Sequence, residues 1–166
     1  MDKEVIESLL NEVLRASPVF ARLSQAEITA LANYGRIHDY AAGEVILTAD
    51  GQDKRMFVLH RGSVLLRLAM WTEEGHCGGE AEFELASPGE AFGWAMWVKP
   101  QHITASAQAL EKTSVVELDL PRMRESDAFL RLSQRMILEL YAHLQEGGLC
   151  PANVQALLAL RQEAIR

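Results

Sequence analysis

The 166-residue chain has only two cysteines, Cys77 and Cys150, and no C-x-x-C spacing. That scarcity excludes a disulfide framework and a four-ligand zinc site, and it fits a reducing, cytoplasmic compartment. Long apolar runs are missing as well. None approaches the ~20 residues that cross a bilayer, so no membrane partner is expected. The opening MDKEVIESLLNEVL places acids inside its apolar stretch and does not read as a signal peptide. Positive charge is in short supply: 16 Lys and Arg stand against 23 Asp and Glu, a net charge of −7. Without a clustered basic run the chain repels a phosphate backbone, and no DNA binding is expected. Nothing resembles a G-x-S-x-G elbow or an ordered triad, so the chain reads as a non-enzyme with no catalytic residues. His76-Cys77, within Glu74-Gly-His-Cys-Gly-Gly, lacks further metal-ligating neighbours. Adjacent strand residues also point to opposite faces, so this stretch reads as a polar hairpin loop and no metal is expected.

What is present is an ordinary globular composition, 49% apolar and 23% charged, enough for one domain. Val5, Ile6, Leu9, Leu10, Val13 and Leu14 recur at helical steps and give one apolar stripe. Ser17-Pro18 reads as an N-cap followed by proline at the first helical position. Ser24-Gln-Ala-Glu27 is a capping box opening a helix through Ile28, Leu31 and Ala32, and Gly35 is expected to close this helical block over residues 1–34.

From residue 35 to 120 the pattern changes to short apolar or alternating segments. They are Ile37–Tyr40, Val45–Leu47, Met56–His60, Val64–Trp71, Ala81–Leu85, Thr104–Leu110 and Val115–Leu118, punctuated at Ala42-Gly43, Asp50-Gly51, Arg61-Gly62, Gly75 to Gly79 and Pro88-Gly89. Many short strands with regular turns predict a mainly β fold with flanking helices, an antiparallel barrel or jelly roll. Residues 121–166 return to helix, with a stripe through Phe129, Leu132, Met136, Ile137, Leu140, Tyr141 and Leu144, a break at Gly147-Gly148, and a last helix after Pro151.

That order, joined to particular glycines, resembles the cyclic-nucleotide-binding domain of the catabolite-activator and protein-kinase-A regulatory families over about residues 18 to 146. The residues that carry it are Tyr40-Ala-Ala-Gly43-Glu44-Val-Ile, Asp50-Gly51 through Met56-Phe-Val-Leu, Leu59-His-Arg-Gly62-Ser-Val, Pro88-Gly89-Glu90-Ala91-Phe92-Gly93, and the pair Ile103-Thr104-Ala105-Ser106-Ala107 and Val115-Val116-Glu117-Leu118. Glycine reaches left-handed backbone angles without steric cost, so Gly43, Gly51, Gly62, Gly89 and Gly93 suit tight corners. The resemblance implies a β-roll with a phosphate-binding cassette at residues 89–106, where successive amides near Gly93 can face an anion. It implies a ligand site built from Gly89, Glu90, Phe92, Gly93, Trp94, Ala95, His102, Thr104 and Ser106. The expected occupant is a cyclic nucleotide or another small anionic ligand, with no cofactor required. A central helix at residues 128–146 is expected to move with ligand and to pair with its twin in a homodimer, its stripe being wide enough to cap the roll as well or instead. The family's transcriptional members carry a helix-turn-helix after that helix, and no second recognition helix is found here. The output is therefore expected to pass to a protein partner.

The cassette departs from the family pattern at its two key positions. Trp94 stands where a glutamate normally accepts from the ribose hydroxyl. Gln101, His102 or Ile103 falls where an arginine normally pairs with the cyclic phosphate. Charge-assisted bonds are worth about 1.5–3 kcal/mol each, so losing both lowers affinity by about two to four decades. His102 replaces an arginine only when protonated, a minority state at neutral pH. Lys99 offers a point charge. Trp94, Met96 and Trp97 either pack beneath a short helix or stack on a ligand. Two readings stay open: a ligand-sensing regulatory domain, and a protein-interaction module that has lost nucleotide binding.

Overall fold

The computed structural model describes residues 2–21, 23–48, 55–71, 74–93 and 103–123. The chain opens with α1 (Lys3–Ala16), one 3-10 turn (Pro18–Phe20) and α2 (Gln25–Ala32). Helix α1 buries Leu10, Val13 and Leu14, with Ile6 and Leu9 packed alongside, while Val5 from the expected stripe stays exposed. The capping box at α2 forms: the Ser24 hydroxyl accepts from the Glu27 amide and the Glu27 carboxylate accepts from the Ser24 amide. Two local expectations are corrected. Ser17 precedes the 3-10 turn but makes no side-chain cap, its hydroxyl being buried without a hydrogen-bond partner among the described residues. Gly35 does not close the helical block; α2 ends at Ala32 with Asn33 as its C-cap, and Gly35 is the first residue of a strand. Its missing side chain serves packing, since a Cβ there would stand 3.1 Å from Leu118 Cδ2 and 3.3 Å from the Ala32 carbonyl.

Among the described residues eight strands follow: β1 (Gly35–Tyr40), β2 (Val45–Leu47), β3 (Arg55–Arg61), β4 (Val64–Trp71), β5 (Cys77–Leu85), β6 (Ala91–Phe92), β7 (Ile103–Ala109) and β8 (Thr113–Asp119), with a short helix α3 (Leu120–Met123) after them. They form two four-stranded antiparallel sheets, ordered β1-β8-β3-β6 and β2-β7-β4-β5. All seven expected strands are present. The structure adds β6, too short to show a period, and extends β5 back to Cys77: Cys77 and Gly79 pair with Trp71 and Met70 of β4, with Gly78 at a register shift between them, rather than forming the loop. His76 therefore sits just before β5 and is exposed. Gly43, Gly62, Gly89 and Gly93 all take positive φ, as does Gly75, while Gly51 lies outside the described residues.

Burial distinguishes the sheets. In β8 every residue from Thr113 to Leu118 is buried, so this central strand is covered on both faces. Helix α1 and the α2–β1 corner cover one side of that sheet. The other sheet alternates: Leu66, Leu68, Ala105, Ala107 and Ala109 are buried, whereas Arg67 is exposed and Thr104, Ser106 and Gln108 are half-buried. One face of it lines the roll and the other meets water. No helix of the described residues is long and apolar enough to cross a membrane, and no group of three or more potential metal ligands lies among them.

Candidate functional site

The turn that runs into Gly93, where the sequence suggests a cassette, is braced. The Glu90 carboxylate accepts from the Ala86 and Ser87 amides, both at 3.0 Å. The Gly89 amide donates to the Leu59 carbonyl at 2.7 Å, and the Leu59 amide returns a bond to the Glu90 carbonyl at 2.8 Å. The turn is thereby fixed to β3 from both sides. Gly89 has φ +95°, and a Cβ there would lie 2.6 Å from the Ala16 carbonyl oxygen, so only glycine lets the turn touch the end of α1. Strand β6 then pairs Phe92 with Phe57, and the two rings stack at 5.0 Å. Gly93 has φ +88°, where a Cβ would come within 2.8 Å of Phe57 Cδ2 and 2.9 Å of the Arg55 carbonyl. Gly93 is thus pressed against β3, where a side chain would not fit.

The sequence-derived site residues divide into three groups. Gly89, Glu90, Phe92 and Gly93 lie together along this turn. Trp94, Ala95 and His102 lie outside the described residues, as do Met96, Trp97 and Lys99. Thr104 and Ser106 fall on β7, but their register sets them across from Ala69 and Arg67, on the half-exposed face. Arg67 there binds Glu82 at 2.8 Å. The residues β7 turns toward the interior are Ala105, Ala107 and Ala109. A strict two-residue period forces that choice, because burying Ala105 sends its neighbours outward.

The strongest electrostatic feature was not singled out from the sequence. Glu117, 2% exposed, sits in the middle of the two-sided strand β8. Its carboxylate accepts from Tyr40 Oη at 2.6 Å, Arg36 Nε at 2.7 Å and Arg55 Nη1 at 2.9 Å, with His38 Nδ1 at 3.7 Å. Burial by itself raises its carboxyl pKa. The Tyr40 and Arg36 hydrogen bonds, with the Arg55 and Arg36 charges, outweigh that and hold it below the usual carboxylate range. Tyr40 is pushed up to about 12, first by burial and then by its bond to Glu117 and that group's negative charge. The Arg55 guanidinium also lies over the Phe57 ring at 5.1 Å. A continuous series of contacts therefore runs from Gly93 through Phe57 and Arg55 to Glu117. The signal in the sequence was a glutamate interrupting Val115-Val116-Glu117-Leu118, since a carboxylate is buried there only if paired.

A family model for the cyclic nucleotide-binding domain matches residues 37–126. The chain belongs to that family. Three solved structures illustrate how widely the cyclic nucleotide-binding fold is shared. The regulatory domain of Toxoplasma gondii protein kinase A, crystallised with cAMP, superposes with a TM-score of 0.64 at 14% identity, over 84% of this chain and 50% of that one. The regulatory subunit of a cAMP-independent protein kinase A from Trypanosoma brucei gives 0.60 at 16% identity, over 79% and 48%. A candidate cyclic nucleotide-binding protein from Geobacter metallireducens gives 0.60 at 25% identity, over 82% and 96%. The chain thus spans about half the length of the kinase regulatory chains and nearly all of the Geobacter one. No curated protein matches the sequence. In this cyclic nucleotide-binding domain the braced turn at Gly89–Gly93 lies inside the matched region.

Proposed function

We propose that the chain is a regulatory ligand-sensing domain that holds a cyclic nucleotide or another small anion in the cassette at residues 89–106. It acts through residues that follow β8. The observation that carries this reading is Gly93, held in a left-handed conformation against Phe57 and the Arg55 carbonyl. A glycine with positive φ is the kind of backbone position from which an anion nest is built. Family membership and the ordered glycine corners support it. A ligand that binds one position of the C-terminal helix more tightly than another shifts the helix toward that position. On this reading the domain is not an enzyme, works in the cytoplasm, pairs through residues 128–146 and hands its signal to a protein partner rather than to DNA.

A second reading is favoured by Trp94, which stands where the family's ribose-binding glutamate belongs. There the cassette no longer takes nucleotide, and the domain docks a protein partner constitutively. That the fold is also that of a kinase regulatory subunit described as cAMP-independent agrees with this alternative. Isothermal titration and thermal shift with cyclic AMP, cyclic GMP and cyclic dinucleotides separate the two. Sensing gives saturable stabilisation that is lost on Trp94→Ala or His102→Ala substitution. No binding up to millimolar nucleotide would overturn the first reading for nucleotides and leave the interaction module.

A further inference from the structure

A second site lies at the end of the roll where β1, β8 and β3 meet the helices. A cleft of about 380 Å³ opens between the α2–β1 corner and the start of α3, lined by Asn33, Tyr34, Arg36, Arg55, Asp119 and Arg122 among others. It is large enough for a small ligand, and most of the residues that line it carry a polar or charged group, their apolar parts included in the surface. Three guanidinium groups face two carboxylates in its lining, Glu117 and Asp119, and Glu117 is already engaged by three donors.

Two of the arginines are held in place with donors to spare. Arg36 uses only its Nε, bound to the buried Glu117. Its side chain is 67% exposed, and its two Nη atoms have no partner among the described residues. Arg122 lies with its guanidinium over the Tyr34 ring at 5.2 Å, and its side chain has no hydrogen-bond or ionic partner among the described residues. Its backbone amide is fixed by the Asp119 carboxylate at 3.3 Å, and the Asp119 amide by the Tyr34 carbonyl at 3.1 Å. The two planar forks are thus oriented before any ligand arrives. That is the condition under which arginine binds oxyanions most tightly, because little rotamer entropy remains to be lost.

We propose that this cleft binds a small organic oxyanion, a carboxylate or a phosphate ester, gripped by Arg36 and Arg122 and separate from the cassette. Because Arg122 and Asp119 stand where the chain leaves β8 for α3, an occupant ties the α2–β1 corner to the departing helix.

The test is a nitrogen-15 NMR titration of the full chain with citrate and, separately, with inorganic phosphate. The expected result is a saturable shift of the Asn33–Arg36 and Asp119–Arg122 amides, with the stronger of the two anions naming the oxyanion preferred. Arg122→Gln, an exposed change that leaves the Glu117 contacts whole, is expected to weaken that binding tenfold or more. Trp94→Ala is expected to leave it unchanged, which separates this site from the cassette. Several results would overturn the proposal: shifts that rise linearly without saturating, equal affinity in the Arg122→Gln protein, or shifts confined to residues 89–93. A saturable response to an acidic peptide but to neither small anion would also overturn it.

Discussion

Replacing Glu117 with glutamine tests how much of the fold's stability rests on one buried carboxylate. The substitution keeps the shape, removes the charge and turns one accepting oxygen into a donor. Three partners then lose all or part of their bond: Tyr40 at 2.6 Å, Arg36 at 2.7 Å and Arg55 at 2.9 Å. Breaking a buried ion pair from one side costs about 3–5 kcal/mol, because the remaining group stays desolvated. Arg36 must be discounted, its side chain being 67% exposed and therefore well solvated after the change. Arg55, at 34%, and the buried Tyr40 hydroxyl carry most of the loss. The expected destabilisation is about 3–4 kcal/mol, a fall in Tm of roughly 6–16 °C for a domain this size. Urea unfolding followed by tryptophan fluorescence measures it, with the midpoint moving and the slope m unchanged. The pH dependence gives a second reading. The folded carboxyl titrates below its unfolded value, so its stabilisation is full above the ordinary carboxylate range and is lost as pH falls through the folded value. The gap between native and Glu117→Gln proteins should narrow on acidification. A loss below about 1 kcal/mol at pH 7, or a gap that widens as pH falls, would refute the reasoning.

Two further outcomes follow from the same geometry. Tyr40 titrates near 12 in the folded protein against an ordinary value of 10.0. Its contribution is therefore intact below about pH 10 and is lost as pH rises toward 12. Ultraviolet titration should show one tyrosine ionising last, and Tyr40→Phe should remove that step. Gly89→Ala combines a left-handed φ with a Cβ 2.6 Å from the Ala16 carbonyl, so a loss of about 2 kcal/mol or more is expected in the same urea assay; a change under about 0.5 kcal/mol would mean that the turn and α1 move apart freely.

Much of the fold was legible because its signals are local and repeated. The Ser24 capping box, the α1 stripe and the seven alternating segments each specify an element within a few residues, and the glycine corners space them. Gly35 misled because a glycine after a helix usually serves as a left-handed cap, whereas here it makes room for Leu118, 83 residues later in the pairing. Gly79 read as part of a loop because glycine weakens a strand on its own, yet its pairing with Met70 of β4 overrides that tendency, and Gly78 beside it marks a register shift. The site was less legible for a different reason. Family resemblance grouped Gly89, Glu90, Phe92 and Gly93 with Thr104 and Ser106 from motif order alone; the structure puts the first four on one turn and the other two on β7. Their facing depends on which alternate of β7 is buried, and alanines and small polar residues differ too little in hydrophobicity to announce it. The Glu117 cluster draws its partners from β1 and β3 onto β8, at separations of 62 to 81 residues that no short window of sequence spans.

The place of β8 at the centre of its sheet governs when this domain becomes foldable. The strand that completes β1 and flanks β3 is translated last of the eight, and the bond from Arg36 to Glu117 spans 81 residues. At ribosomal speeds of roughly 5–20 residues per second, β1 waits about 4–16 seconds for its neighbour to be synthesised. During that interval β1 and β3 present bare backbone edges. A nascent chain halted before Thr113 would hold the hydrophobic material of the roll without the strand that joins β1 to β3, making it a natural client for chaperones.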